Sequence, residues 1–269
     1  MESRTWNNDE WSVFTEKASI VDSQAIEALE EQLKIPMPEM VFGKNRLGIV
    51  HEPSQLSIVF DPVAALDEVD KTYNGKTKIL QVAHSGAWKA SKIRSKHENP
   101  VTLGNVDYDV NKVHHPFDWT YTNDYKGTLT PNGARPSLNP IPYDELKRPD
   151  PILFFDEVPL YEDELGDFGL TTHTVKIRVM PNNLFVLARL YVRVDNVAFR
   201  IRDTRIYVDF RTNKITREYT EKEGAYDEVN KRVPIWAEDF TQMLRDPAWV
   251  DSVLPPLLQE NCEIPLQVD

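Results

Sequence analysis

Side chains able to do chemistry are scattered through the chain, and few stand at a working spacing. His114 and His115 precede Asp118 and so offer metal-ligand types, but adjacent side chains on an extended segment point to opposite faces. His51, His84, His97 and His173 complete the six histidines, without a His-Glu-x-x-His helix. The run Glu162-Asp163-Glu164, with Asp167 beyond it, lacks the alternating ligands and turn glycine of a calcium loop. Gly166-Asp167-Phe168-Gly169 contains an Asp-Phe-Gly triplet, yet no glycine-rich nucleotide loop or His-Arg-Asp segment accompanies it, so it reads as a turn. Cys262, the one cysteine, has no basic cluster beside it in sequence to activate a thiolate. No catalytic residue, metal site or cofactor is expected.

The more telling constellation is a set of arginines. Asp195-Asn196 lies between two strand-like runs and reads as a two-residue hairpin turn, because both residue types tolerate positive φ. That loop length places Val194 opposite Val197, Tyr191 opposite Arg200 and Arg189 opposite Arg202. Alternation then gives one apolar face, from Val186 to Ile201, and a second face holding Arg189, Tyr191, Arg193, Arg200 and Arg202. Like charges in opposition destabilise a sheet, so this face needs anions. They come either from acids of the same chain, such as Asp156, Glu157 or Glu162-Asp163-Glu164, or from a carboxylate-bearing partner in a basic groove. A groove of that kind predicts that charge reversal at Arg200 and Arg202 abolishes partner binding without unfolding.

The elements that must position these residues are legible in part. Trp11 to Phe14 reads as a strand. Asp22 or Ser23 caps a helix with Ile26, Leu29 and Leu33 on one stripe, and Pro36 stops it. Residues 40–42 and 47–50 read as a hairpin and 56–60 as a strand, while Asp61-Pro62 opens a short helix. A strand over 78–82 and a helical turn at Trp88 are expected next. Loops are expected over residues 89–112 and 130–142, the second stiffened by Pro131, Pro136, Pro140 and Pro142. Between Pro140 and Pro142, Ile141 is either a contact point or a side chain tucked onto its own domain. Strands follow at 152–158, 172–180, 184–194, 197–203, 205–210 and 215–219, joined by short gaps that favour antiparallel neighbours. Pro159 predicts an edge or bulge. Two helical segments close the chain, the second interrupted by Pro255-Pro256. The expected fold is α+β, with sandwich-like antiparallel sheets flanked by helices, as a single domain over residues 1–269.

Charge bounds the partners. Against 43 acidic residues stand 31 Lys+Arg, a net charge of −12, which disfavours nucleic acid and anionic membranes. With one cysteine and no apolar run long enough to span a bilayer, a cytoplasmic monomer is expected, with the nucleus as a second compartment.

Three segments together resemble one known family. They are Pro38-Glu39-Met40-Val41-Phe42-Gly43, the run from Phe117-Asp118-Trp119-Thr120-Tyr121 through Asn123-Asp124-Tyr125-Lys126-Gly127-Thr128, and the stretch from Phe154-Phe155-Asp156-Glu157-Val158 through Arg178-Val179-Met180-Pro181 to Asp203-Thr204-Arg205. This pattern resembles the TIP forty-one-like family (TIPRL), regulators of TOR signalling. The resemblance implies a non-enzymatic protein that binds catalytic subunits of type 2A protein phosphatases, with a Tap forty-two type protein as a further partner and phosphatase inhibition among its roles. Those subunits end in a flexible tail that is acidic and aromatic and closes on a leucine carboxylate. On this basis Trp119, Tyr121, Tyr125, Ile141, Arg178, Arg189, Tyr191, Arg193, Arg200 and Arg202 are the expected partner-binding residues. In the alternating run at 118–121 both rings share a face, either core or groove. The competing readings are a metal-dependent hydrolase and a general adaptor for acidic peptides.

Overall fold

A computed structural model describes residues 1–71, 117–234 and 240–266. The strand expected at 78–82, the turn at Trp88, the loop over 89–112 and His84, His97, His114 and His115 lie outside the described residues.

Two antiparallel sheets face each other across one hydrophobic core, and the α+β expectation holds. The smaller sheet contains β1 (Glu2–Asn7), β2 (Trp11–Lys17), β4 (Arg46–His51), β5 (Leu56–Phe60) and β6 (Thr128–Thr130), in the order β1-β2-β4-β5-β6. The larger contains β3 (Met40–Val41), β7 (Arg135–Pro136), β8 (Phe154–Asp163), β9 (Gly169–Val179), β10 (Asn183–Val194), β11 (Ala198–Asp209), β12 (Lys214–Ala225) and β13 (Pro256–Ile264). Its order is β3-β8-β9-β10-β11-β12-β13-β7. Alternation dictates what meets between the sheets: Trp11, Val13, Leu47, Ile49, Ile58 and Phe60 on one side, Val158, Val175, Ile177, Val186, Leu190 and Ile206 on the other, all buried.

Local signals placed the two N-terminal helices, whereas the short helices at Tyr143–Leu146 and Tyr226–Asn230 were not expected. Asp22 caps α1 (Ser23–Leu33) by accepting from the Ala25 amide at 2.9 Å, and Asp61 caps α2 (Pro62–Asp67) through Ala64 at 2.9 Å. Pro159 does mark a register shift in β8, whose outer side pairs with the two-residue β3 at Tyr161 and Glu162.

Three expectations need correction. Residues 40–42 and 47–50 form no hairpin: β3 joins β8, whereas β4 pairs with β2 and β5. Buried Asn45 holds this corner, accepting from the Ala18 amide and donating to the Pro159 carbonyl, so the chain changes sheets there. Residues 197–210 are not two strands but the single β11. The helical segment expected around Leu257 and Leu258 is instead β13, because Pro255-Pro256 ends the helix α6 (Pro247–Val253) and the chain returns extended along β12.

The fourth correction matters most. At the β10–β11 turn only Asn196 takes positive φ, and the Val197 amide donates to the Val194 carbonyl at 3.0 Å. A two-residue primed turn requires positive φ at both central positions for type I′ or at the first for type II′. The loop therefore has three residues, 195–197, and Val194 faces Ala198 rather than Val197. One residue of slip exchanges the faces of the whole strand. Arg200 and Arg202 now share the inner face with Val192 and Leu190, while Arg189 and Arg193 share the outer face with Phe199 and Ile201. Arg189 stands opposite Asp203, not Arg202, and the like-charge opposition disappears.

Beyond that turn, Gly169 pairs with Val194 so closely that a Cβ would lie 1.9 Å from the Arg193 carbonyl oxygen. Gly166, in the preceding turn, has φ +62° and open space around it. Gly169→Ala is expected to cost about 3 kcal/mol or more, since backbone must move, and Gly166→Ala about 1 kcal/mol. Chemical denaturation of the two variants measures the difference, and equal losses would contradict the packing described.

Candidate functional site

The segment from Phe117 to Gly127, which carries the second resemblance motif, is threaded between the sheets. Thr120, Tyr121, Thr122, Asn123 and Tyr125 are all buried. It is no alternating strand at its start. Asp118 accepts from the amide and hydroxyl of Thr120, Tyr121 takes φ +55°, and the Tyr121 amide returns to the Asp118 carbonyl. That turn separates the rings expected to share a face, so Tyr121 is buried and Trp119 half-buried.

Buried backbone must find partners, and this segment finds them on both sides. Tyr161 donates to the Tyr121 carbonyl at 2.9 Å and receives the Asn123 amide group at 2.7 Å, while the Thr171 hydroxyl donates to the Thr120 carbonyl. Tyr125 donates to the Val59 carbonyl in the smaller sheet, and burial pushes its phenol up to about 12. His173, edge-on to Tyr125 and Tyr161, is wholly buried, and desolvation lowers it to about 3, so it packs as a neutral ring.

The arginines sit in two separate networks. On the inner face, Arg200 is 1% exposed; its Nε donates to Glu223 at 2.7 Å and its Nη1 to the Thr122 hydroxyl at 2.7 Å, with Asp118 at 3.6 Å. Arg202 pairs with Glu221 at 3.3 Å; burial and the neighbouring Arg200 loosen its proton. On the outer face Arg189 makes a bidentate pair with Asp203 and reaches Asp251 of α6 at 3.2 Å. Arg193 pairs with Asp195 at 2.7 Å.

These contacts correct the single basic face. The arginines are divided between two faces and engaged by acids of their own chain, so charge reversal at Arg200 and Arg202 would place anions in the interior instead of probing a groove. Tyr191 is buried under the C-terminal helices, donating to the Leu244 carbonyl. Ile141 is 2% exposed, so it tucks inward. The strap that carries it crosses the outer face, where Tyr143 donates to Glu218 and the Leu146 carbonyl accepts from Arg178. Of the ten expected residues, Trp119, Arg178, Arg189 and Arg193 keep partial access to solvent.

What sequence reasoning missed lies farther along the inner face. Register places Ile206, Arg217, Cys262 and Pro136 in one row across β11, β12, β13 and β7. Beside it a cleft of about 450 Å³ is lined by Lys126, Ala134, Arg217, Tyr219, Glu260 and Cys262 among others. Lys126 lies 4.2 Å over the Tyr219 ring and pairs with Glu260 at 2.7 Å. Tyr219 donates to Asp124, and burial raises its phenol well above the usual range. Half-buried Arg217 makes no ion pair or hydrogen bond with any described residue. The cleft thus offers an unspent guanidinium beside an aromatic ring, which suits a carboxylate followed by an apolar or aromatic side chain. Nothing in the local sequence around Arg217 marks it, because its isolation follows from register.

Among the described residues no group of three or more His, Cys, Asp or Glu side chains is placed to hold a metal ion, and no helix is long and apolar enough to cross a membrane. Asp163 is occupied structurally, accepting from the amides of Leu165 and Glu39.

The TIP41-like family model matches residues 40–230. The chain belongs to that family. It is 38% identical over 264 residues to the type 2A phosphatase activator TIP41 of Saccharomyces cerevisiae, covering 95% of this chain and 73% of that protein. The human TIP41-like protein is 38% identical over 219 residues, 80% of this chain and 74% of its own. The Schizosaccharomyces pombe type 2A phosphatase activator tip41 is 32% identical over 249 residues, 91% of each. The matched region contains both the threaded segment and Arg217.

The outer network carries a pH signature. Burial opposes the charge of Asp251, but Lys222, Arg189 and Arg205 hold its carboxyl below the ordinary 3.8. A carboxylate with a depressed folded-state pKa contributes stability that is full above the unfolded value and fades as pH falls through the folded one. Asp251→Asn should therefore lower the melting temperature at pH 7, with the gap to the parent protein closing as pH drops below about 4. Thermal melts across that range test it, and a gap independent of pH would contradict the ion pairing.

Proposed function

We propose that this chain is a non-enzymatic regulator that binds the catalytic subunit of type 2A protein phosphatases and modulates its activity in TOR signalling. The family match over residues 40–230, with yeast relatives named type 2A phosphatase activators, carries the reading. Those names favour support of phosphatase activity over the inhibition considered from sequence. A Tap forty-two type protein is a second partner on this reading, in the cytoplasm or the nucleus.

The contact we infer is the subunit's acidic tail, seated in the cleft at Lys126, Arg217 and Tyr219. Charge supports this placement: in a body of net charge −12, Arg217 is a cation that no described carboxylate neutralises. Trp119 and Arg178 stay within the proposal as accessible side chains outside the cleft. Tyr121, Tyr125, Ile141 and Arg200 enter it as supports of the threaded segment and the strap, Tyr191 as a support of the C-terminal helices and Arg202 through its pairing with Glu221 on β12. A general adaptor for acidic peptides would use the same cleft but would not require this particular tail.

The experiment is calorimetric titration of the purified phosphatase catalytic subunit, intact and lacking its final residues. Arg217→Glu should weaken binding about tenfold or more, tail removal should weaken it to a similar degree, and the variant's melting temperature should stay within about 2 °C of the parent. Full affinity for the truncated subunit would remove the tail from the proposal, and full affinity of the variant would remove the cleft.

A further inference from the structure

Asparagine is a thermolabile residue, because the backbone nitrogen that follows it can attack its side-chain carbonyl. The fold restrains most of the described asparagines against this. Both ends of the carboxamide are hydrogen-bonded in Asn45, Asn123 and Asn213. The amide after Asn7 donates to the Trp11 carbonyl at 2.9 Å, and the amide after Asn230 donates to the Asp227 carbonyl at 3.1 Å. Asn139 precedes Pro140, which has no amide hydrogen to lose.

Asn132 has none of these restraints. It is exposed and stands between β6 and β7, where residues 132–134 belong to no helix, strand or turn. Neither its carboxamide nor the Gly133 amide bonds to a described residue. Among the described residues it is also the one asparagine followed by glycine. Glycine has no Cβ to crowd the approach of its nitrogen, and its backbone reaches conformations that other residues avoid.

We propose that Asn132 is a site of spontaneous deamidation, with water as the co-reactant. The Gly133 nitrogen gives its proton to hydroxide and attacks Cγ of Asn132. The new C–N bond closes a cyclic imide, the bond from Cγ to the side-chain nitrogen breaks, and that nitrogen leaves as ammonia with a proton from water. Water then adds to one of the two imide carbonyls and breaks its bond to the Gly133 nitrogen. Opening at Cγ leaves aspartate. Opening at the main-chain carbonyl leaves isoaspartate, whose backbone runs through Cγ and is longer by one carbon.

Either product places a new carboxylate close in sequence to Ala134, which lines the cleft with Arg217. Isoaspartate also acts on β7, which lies just downstream. That strand is held on β13 by the pairs of Arg135 with Glu263 and Pro136 with Cys262, and by the Ser137 amide on the Asn261 carbonyl at 3.0 Å. An added main-chain carbon at 132 displaces this register. The modification stands apart from the phosphatase reading and holds whether or not that reading does.

The test incubates the full chain at neutral and mildly alkaline pH beside a synthetic peptide copying residues 128–136. Peptide mapping by mass spectrometry follows the exchange of amide for acid in both. An unrestrained site predicts that Asn132 in the folded chain reacts at a rate comparable to the peptide's, faster at the higher pH, while Asn45 and Asn213 stay intact. Methyl transfer from S-adenosylmethionine by an isoaspartyl carboxyl methyltransferase identifies the isoaspartate. Gly133→Val puts a branched Cβ beside the nucleophile and should slow the reaction about tenfold or more. The parent chain alone can refute the proposal: an Asn132 amide that outlasts the peptide's about tenfold or more would mean that the fold protects it. An unchanged rate in Gly133→Val would remove the imide route. Hydrogen exchange at the Ser137 amide should quicken in the isoaspartyl form, and exchange as in the parent would overturn the displacement of β7.

Discussion

Arg200 brings a full positive charge into a site that is 1% exposed, and the arrangement around it settles much of the rest. An unpaired guanidinium there would cost several kcal/mol. Its donors must be met, and Glu223 on the neighbouring strand and Thr122 on the threaded segment meet them. One contact lies within the larger sheet and the other on the chain between the sheets. The pair therefore does what apolar packing does poorly, fixing the position of a polar segment along its length. A hydrophobic substitute of the same volume would be no less stable in principle, but it would leave Thr122 and Asp118 free to shift. With 118–126 fixed, Asp124 reaches Tyr219 and Lys126 reaches Glu260, and the cleft has its wall.

The outer face solves a related problem by another route. Tyr191, Phe199 and Ile201 form an apolar patch that the C-terminal helices cover through Val229, Leu244, Val250 and Leu254. Beside that patch Asp203 is wholly buried between Arg189 and Arg205, and Asp251 descends from α6 onto the same cations and Lys222. The strap at 137–153 covers the remaining half, anchored by Tyr143 on Glu218 and by Arg178. Helices and strap cover these parts of the outer face, while Phe185, Leu187, Arg189 and Arg193 on the same face keep partial access to solvent.

How much of this could be read from the residues varies with the range of the interaction. Caps are local, so Asp22 and Asp61 announced their helices. Strands β8 to β12 are rich in strand-forming residues and join through short turns, so their order was legible, although β11 is buried on both faces and shows little alternation. The register of β10 and β11 was not, because it hinged on whether Val197 belongs to the strand or the loop. Asp195-Asn196 suits a two-residue turn by composition alone. The strand β13 was hidden by Leu257-Leu258-Gln259-Glu260, which shows no alternation because its first half has no core to face. The edge strand β1 was hidden for the same reason, being polar throughout except Trp6. Segments that bury nothing carry no hydrophobic pattern, and here they are the margins of both sheets.

The same logic explains why the arginines misled. Their number is real, and a net-acidic chain that places so many in adjacent strands must neutralise them. Glu223, Glu221, Asp203 and Asp251 do so from β12, β11 and α6, none of them the acids that stood out as runs. Neutralisation proceeds residue by residue down β12, Glu223 with Arg200 and Glu221 with Arg202. Two positions further on, the ladder reaches Tyr219 and then Arg217, where the cross-strand neighbours are Ile206 and Cys262 and no described acid remains. The cation at the open end of this ladder lines the cleft without a described acidic partner. Buried partners consume the others, so Arg217 is distinguished by what its neighbours lack and not by its own type.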